Sequence, residues 1–514
     1  MQHLPSFWSG IRASLLRGMK DGENLNTHDA FRTRLPSDTA MPDTSSVRIF
    51  DEASAQQILD RVQRFAKGGG ECAIQLDCWW SGELRWARNR VSLGSDRRDI
   101  TVKVVRHIEP GAGNAETNQM DDISLESAVR AAERLAHYSG SMTRDIHDVR
   151  VDAPPFPMPS PKIWSDATAN VTAEARAALA RTLSEQSEAQ GMFAAGYMEM
   201  RIGARVLLDP TGGKVLDIGN GEWPKTMRYD QHSDSRCSMT VRHPKGVGSG
   251  WAGLSGYDWA AIDAPRLAKR ALEKCLASLN PVAIEPGRYT VVLEPQAVSE
   301  LVMFPFTRIR YFDRYDNEQS QGPLTLGPDP AIKKIRTKLG LKIVDERITI
   351  SHDLMDPQQG VLPAPDARRI VWIDRGMLTT LGHGRDYALR FGLGEGRHSG
   401  GGGGLHMTGG TTSIDEMITT TKRGLLVTRF SDLMALDPAS ALLSGVTRDG
   451  LWLIENGKIA KAVKNMRITE SPFFVLNQIE QLGVPVPVFS HLGPAIFPPI
   501  KARDFSFTAM IDAI

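Results

Sequence analysis

The sequence predicts an α+β fold in two parts: a helix-and-strand unit, then a strand-rich one. Two patterns carry that expectation. Apolar residues recur at helical spacing in some blocks and alternate in others, and clusters of proline and glycine separate the blocks. Composition agrees. Of 514 residues, 41% are hydrophobic and 24% charged, the profile of a globular protein able to bury its own cores. Lys plus Arg number 61 and Asp plus Glu 60, a formal charge of +1. That balance argues against a nucleic-acid partner, which demands a cationic surface to displace counterions. No run reaches the roughly 18 apolar residues of a membrane span, so no membrane partner is expected.

In chain order, residues 1–45 read as an extension. Ile11, Leu15, Leu16 and Met19 suit one short docking helix, and its polar face is not basic enough for a membrane surface. The start lacks a basic cluster followed by an apolar core, so a cytoplasmic protein is expected. The cysteines, Cys72, Cys78, Cys237 and Cys275, are too few for a disulfide framework. Residues 46–283 form the first α+β region. Ile58, Val62 and Phe65 mark a helix over Ala55–Lys67 that ends at a glycine run. Alternation predicts strands at Cys72–Cys78, Leu84–Trp86 and Ile100–Val104. A second helix spans Leu125–Tyr138, with Ser124 as cap and Gly140 past its end. The stretch 152–164 carries five prolines and reads as an extended connector. An Ala-rich helix from Thr172 to Gln190 follows, then strands at Met192–Arg201, Ala204–Leu208, Lys225–Tyr229 and Cys237–His243. A helix from Asp263, with Pro265 in its first turn, closes the region.

Residues 284–514 form the strand-rich part. It opens with a strand at Tyr289–Leu293 and a helix around Val298–Phe304. Strands follow at Lys342–Val344, Ile348–Ile350, Arg369–Ile373, Leu425–Arg429, Leu451–Glu455 and Lys464–Ile468. Ser413 and Glu416 form a capping box before a short helix.

Several constellations bear on chemistry. There is no His-Glu pair among the 12 histidines, so the commonest helical zinc motif is absent. His398 and His406 flank the glycine tract 400–404 and offer a loop-borne metal pair, against the plainer reading of two exposed imidazoles. The glycines between Gly246 and Gly253 follow a strand, but no helix begins at once, so they read as a tight turn near packed indoles rather than a phosphate cradle. No Gly-x-Ser-x-Gly elbow occurs. Cys237 beside His232 or His243 reads as a strand rather than a thiolate pair. Asp313 and Asp316 read as a solvated loop.

The run GTTSIDEMITTTKRGLLVTRFSD from Gly410, then Leu443–Ile459 with its Thr447-Arg448-Asp449-Gly450 segment and Ile454-Glu455-Asn456-Gly457-Lys458, then Val463–Ile468, strongly resembles the TldD/PmbA family. Asp345–Ile350, Gly360-Val361 and Gly376–Leu378 resemble it too, and the order of elements from residue 46 matches its plan. The resemblance implies a two-domain fold and a dimer. In the catalytic branch it implies a zinc metallopeptidase that trims unfolded peptides and matures peptide products, its metal held by a His-Glu-x-x-x-His helix and a later Cys. This chain departs there. After Val291-Val292-Leu293-Glu294-Pro295 it places Met303, Phe304 and Arg308 where the motif is expected, and no Cys follows Cys275. Those side chains cannot hold zinc or lower the pKa of a bound water.

The resemblance therefore implies the PmbA/TldE branch: no catalytic residue and no metal ligand in this chain, with zinc in a TldD-like partner subunit and a peptide as substrate. The alternative is a divergent hydrolase of the same fold, drawing on His398, His406, or His383 with Asp386. A homo-oligomer remains open. Peptide or partner contacts are expected on the strand carrying Leu425, Val427 and Arg429 and on a turn carrying Thr447, Arg448 and Asp449, against the plainer reading of a self-held turn.

Overall fold

The structure is a computed structural model. It describes residues 48–511 apart from 68, 109–110, 143–162, 209–226, 310–323, 330–333, 354–355, 357–368, 382–404 and 492. The chain divides into two units, Met1–Val47 and Arg48–Ile514. The first lies outside the described residues, with the expected docking helix. So do His383, Asp386, His398, the glycine tract, Asp313, Asp316, Gly360-Val361 and most of the proline connector.

The second unit opens with α1 (Glu52–Phe65), capped by the Asp51 carboxylate. Strands β1 (Glu71–Ala87), β2 (Arg90–Ile108), β3 (Gly111–Thr117), β4 (Phe193–Leu208), β5 (Arg228–Arg242) and β6 (Ser249–Gly256) make one antiparallel sheet, ordered β3-β2-β1-β4-β5-β6. Helices α2 (Asp122–Met142), α3 (Asp166–Ala169), α4 (Ala173–Ala189) and α5 (Ala264–Ala277) intervene. Alternation sorts the strands. Ile74, Leu76, Cys78, Met198, Met200, Ile202, Cys237 and Met239 share one core with Leu59, Val129, Leu183 and Ala271 of the helices. The opposite face of the sheet carries the polar and charged positions.

Strand lengths differ from the sequence reading. Cys72–Cys78 and Leu84–Trp86 belong to one strand, as do Met192–Arg201 and Ala204–Leu208. Gly82 and Gly203 are packing sites rather than breaks: a Cβ at Gly82 would collide with Arg176 and Trp80, and one at Gly203 with His232 and Trp79. The polar run DQHSDSR at 230–236 lies inside β5. In α2 the cap is Asp121, whose carboxylate accepts from the Ser124 N–H at 2.9 Å, and Gly140 lies within the helix.

After β7 (Gly287–Leu293) and α6 (Pro295–Ile309) comes a two-stranded piece, β8 (Thr325–Asp329) with β9 (Lys334–Thr337). Next are β10 (Ile350–Asp353), β11 (Arg369–Asp374), β12 (Met377–Leu378) and β13 (His406–Met407). Then follow α7 (Ile414–Thr419), which has the expected capping box, β14 (Arg423–Asp437), β15 (Leu442–Glu455), β16 (Lys458–Ala462) and β17 (Met466–Glu470). The chain ends with α8 (Pro472–Asn477), β18 (Ile479–Leu482), β19 (Val486–Val488), β20 (Ala495–Phe497) and β21 (Ile500–Met510).

Strands β14-β7-β21-β17-β15 pair in that order, and β15 pairs back to β14. The ring is a closed barrel, which removes sheet edges. Val291, Leu293, Leu425, Val427, Leu451 and Leu453 belong to its main core. The alternate residues Val292, Leu426, Trp452 and Ile454 pack instead with Met417 and Ile418 of α7. A second sheet, β12-β11-β10-β13-β20-β19, shares the main core through Ile350, Trp372, Met407 and Phe497.

One expectation is corrected here. Thr447–Gly450 is not a turn but the interior of β15. Asp449 and Gly450, at φ 56° and 136°, together oppose Thr428: the pairing passes from Val427↔Leu451 to Arg429↔Arg448. This is a β-bulge, and the Asp-Gly pair that resembles turn chemistry supplies the left-handed backbone it needs.

Candidate functional site

A continuous band of charged and aromatic side chains runs from the face of the first sheet opposite its described helices to α6 and the bulge of β15. It begins on β1 and β4. Arg201 lies over Trp79 at 5.0 Å, and the edge of Trp79 meets the His232 ring at 4.3 Å. His232 is fully buried and neither ring nitrogen has a hydrogen-bond partner. Burial, with Arg205 and Arg201 nearby, drops its pKa to about 3, so it is a neutral imidazole at every ordinary pH.

Arg236 on β5 comes next. Its Nη2 donates to Asp234 at 2.6 Å, Nε lies 3.3 Å from Glu199, and Nη1 donates to the carbonyl of His491 at 3.3 Å. Burial works against its charge, but Asp234 and Glu199 outweigh that and raise its pKa. Burial and then the carboxylates of Glu199 and Glu83 push the Tyr197 phenol upward. The His491 imidazole is held below its usual value, chiefly by burial and then by Arg236. Phe489 stacks edge-on with both His491 and Trp251, and Trp251 in turn lies under Arg429 at 4.8 Å.

At the barrel end, α6 supplies Gln296 and Glu300. Gln296 grips the β19–β20 segment: its Oε1 accepts from the Phe489 N–H and its Nε2 donates to the Phe489 carbonyl, at 3.0 and 3.1 Å. Glu300 accepts from the Phe430 N–H at 2.6 Å and from Gln296 at 3.0 Å, with Arg429 Nε 3.4 Å away. Only 18% of its side chain is open to solvent. Burial pushes its pKa up to about 7, against the opposite pull of Arg429, Gln296 and Phe430. Asp449 lies beyond, 1% exposed, its Oδ2 3.8 Å from Arg429 and 3.9 Å from Arg448. Its Oδ1, and the hydroxyl of buried Thr428 facing it across the bulge, have no hydrogen-bond partner. Beside the bulge a cavity of about 370 Å³ opens, lined by Gly246–Ser249, Gly450 and Asn465.

Because Glu300 is protonated more readily in the folded protein than in the unfolded chain, its contribution to stability is present below pH 4.5 and lost as the pH rises through 7. Replacing it by Gln is expected to remove that slope. Urea denaturation at pH 4.5 and pH 8 should show the variant gaining on the wild type by on the order of 2 kcal/mol across the interval.

Of the six positions singled out in the sequence, the structure brings together Arg429, Arg448 and Asp449. Thr447 is buried beside them, donating to Asn465 at 3.2 Å and accepting from the Met466 N–H at 2.9 Å, bonds that hold β15 to the segment entering β17. Leu425 and Val427 lie in the barrel core, and their backbones pair with β7 on one side and β15 on the other. Neither edge of β14 is open there for strand addition. His406 is half-buried on β13, outside the band, its pKa lowered chiefly by burial. All four cysteines are buried and none forms a disulfide. Burial pushes Cys237 to about 12 and Cys275 to about 11, so both are unreactive thiols. Glu199, Asp234, Arg236, Glu300 and His491 were not singled out in the sequence. The signal for Glu199 was present as charged residues alternating with apolar ones on β4, whereas Asp234 and Arg236 lie in the uniformly polar run of β5, which has no such alternation.

The donor set of α6 does not fit zinc. Met303 is buried in the main core and its sulfur accepts from the Ser299 hydroxyl at 3.7 Å. The side chains of Phe304 and Arg308 lie outside the described residues. Among the described residues no three His, Cys, Asp or Glu side chains converge as a metal site, and no helix among them is long and apolar enough to cross a membrane.

Residues 286–509 match the PmbA/TldA metallopeptidase C-terminal domain. Among solved structures, a protein described as a modulator of DNA gyrase from Thermotoga maritima aligns with 88% of this chain and 100% of its own, at 16% identity and a TM-score of 0.69. One of the same description from Bacteroides thetaiotaomicron aligns over 90% and 100%, at 16% identity and 0.69. TldE from Thermococcus kodakarensis aligns over 88% and 99%, at 15% identity and 0.66. At such identities the structures establish the fold. Among curated proteins none matches this chain by sequence. The barrel region thus belongs to the PmbA/TldA metallopeptidase C-terminal domain family, and nearly the whole chain shares the fold of these three structures.

Proposed function

We propose that this chain is the metal-free, non-catalytic subunit of a heteromeric zinc metallopeptidase, completing a peptide-holding cavity for a TldD-like catalytic partner. The observation that carries the reading is the character of α6. Where the family's catalytic branch is expected to present a His-Glu-x-x-x-His motif, this helix turns a thioether into the core at Met303 and spends its polar residues, Gln296 and Glu300, on the β19–β20 segment and β14. Neither use activates a water molecule. The band of arginines, acids and aromatics supplies a polar surface suited to an extended chain. The zinc, the peptide bond cleavage and the general base belong to the partner.

The test is reconstitution. The chain alone is expected to be inert toward unfolded peptides. Mixing with a His-Glu-x-x-x-His relative from the same cell should give a stable complex, zinc in that complex, and peptidase activity in the mixture only. Stoichiometric zinc on the lone chain, lost on the double change His398→Ala/His406→Ala, would instead establish the divergent-hydrolase reading.

A further inference from the structure

The face of the first sheet opposite its described helices is more than generally polar; it carries charges in a definite order along the strands. Arg85 on β1 lies at the level of Tyr197 on β4, since those two residues pair. Arg201 and Arg205 follow on β4 at steps of four residues. At about 3.3 Å per residue, the three arginines repeat every 13 Å or so along the strand direction. Each is held in place. Arg85 lies over the Tyr197 ring at 5.3 Å and Arg201 over Trp79 at 5.0 Å. Arg205 donates to Asp77 at 2.7 Å, and Arg201 lies 3.8 Å from Glu199.

In both ion pairs the base is the more exposed member: 22% against 15% for Arg205 and Asp77, 34% against 12% for Arg201 and Glu199. In each pair the acid is the more buried partner and helps to hold its guanidinium group in place. Such pre-oriented forks match carboxylates. Midway between the first two arginines, Glu83 and Glu199 pair across β1 and β4, so an incoming base is favoured there. Midway between the second pair, Trp79 lies opposite Gly203, with the His232 ring against its edge, so the apolar surface at that level is the indole.

From this order we propose that the face binds an extended peptide with acidic side chains at positions i, i+4 and i+8, a basic one at i+2 and an apolar one at i+6. In an extended chain these alternate residues share one face, at the same 13 Å repeat. The proposal rests on the reading that this subunit carries peptide, and it names the class of peptide carried.

The probe is a fluorescent 13-residue peptide with Glu at 3, 7 and 11, Lys at 5 and Leu at 9, titrated against the full chain alone. A peptide of identical composition with the glutamates moved to 3, 6 and 9 is the comparison. The patterned peptide is expected to bind at least tenfold more tightly, with an affinity that falls as salt rises. Arg201→Gln and Arg205→Gln should each weaken it about tenfold, as should Arg85→Gln, which lies at an exposed position where loss of folding is not at issue. Equal binding of the two peptides, indifference to all three substitutions, or tighter capture of single-stranded DNA of the same charge would overturn the proposal. Because the chain is titrated without its partner, these failures leave the reconstitution result untouched, and failed reconstitution leaves the peptide preference standing.

Discussion

Replacing Glu294 by Ala is expected to cost the fold about 3–5 kcal/mol, the loss that follows when one member of a buried ionic cluster is removed and the other is stranded. Glu294 follows β7 directly and is 5% exposed. Its Oε2 accepts from Arg270 and from Lys274, both at 2.7 Å. The two cations come from α5, so the cluster ties the helical layer of the first sheet to the barrel. Burial alone would raise the carboxyl pKa, but Lys274 and Arg270 outweigh it and the net shift is downward. Burial, with repulsion from Arg270, shifts the Lys274 ammonium down against the pull of Glu294 and Asp449. The sign for Glu294 is that of a depressed acid: its stabilisation is present above pH 4.5 and is lost as the pH falls below. Urea denaturation at pH 7 should show the full cost. The double variant Glu294→Ala/Lys274→Met should recover part of it, by removing the stranded ammonium. A single variant as stable as the wild type would mean that solvent reaches the cluster freely.

The second large effect is steric. Gly250→Val is expected to destabilise by about 3 kcal/mol, the upper end of the usual range for overpacking. A Cβ at Gly250 would collide with the carbonyl of Ala271 and the N–H of Cys275, both backbone atoms of α5. Backbone cannot rotate aside as a side chain can, so the helix itself must lift from β6. Gly256 sits on the same strand with open space around its Cβ position. Gly256→Ala is the matched control and should change the urea midpoint little, so equal midpoints for the two variants would refute the steric account.

That pair also shows what the sequence reveals and what it conceals. The glycines between Gly246 and Gly253 read as a site of close backbone approach, and the approach is real. At Gly253 its object is the Trp251 indole, as expected, but at Gly250 it is α5 at a separation of some 20 residues, which no local pattern encodes. Elements with strong periodicity and caps emerged cleanly: α4 with Thr172, α5 with Asp263, and α7 with its capping box. Strand continuity did not, because Gly82 and Gly203 resemble punctuation when they are clearances for Arg176, Trp79 and His232. The band of charged residues was legible only where its members sit in recognisable local patterns. Arg429 reads on its strand and lies there, while Arg448 and Asp449 read as a turn and lie in a bulge, since Asp-Gly chemistry serves bulges and turns alike. Glu300 sits mid-helix in an apolar run, and only the arrival of Arg429 and the Phe430 N–H from 130 residues away gives it a role.

The extra residue at Asp449-Gly450 governs more than its surroundings. It sets the phase of everything after it on β15: with it in place, Leu451 and Leu453 point to the main core while Trp452 and Ile454 turn to α7. Losing either residue of the pair would advance the strand by one and turn that stretch inside out, with indole driven inward and leucines left beneath the helix. Since every strand of the ring has neighbours on both sides, the slip could not be relieved at a loose end. The family-matched half of the molecule thus tolerates exchange at this spot far better than a change in length.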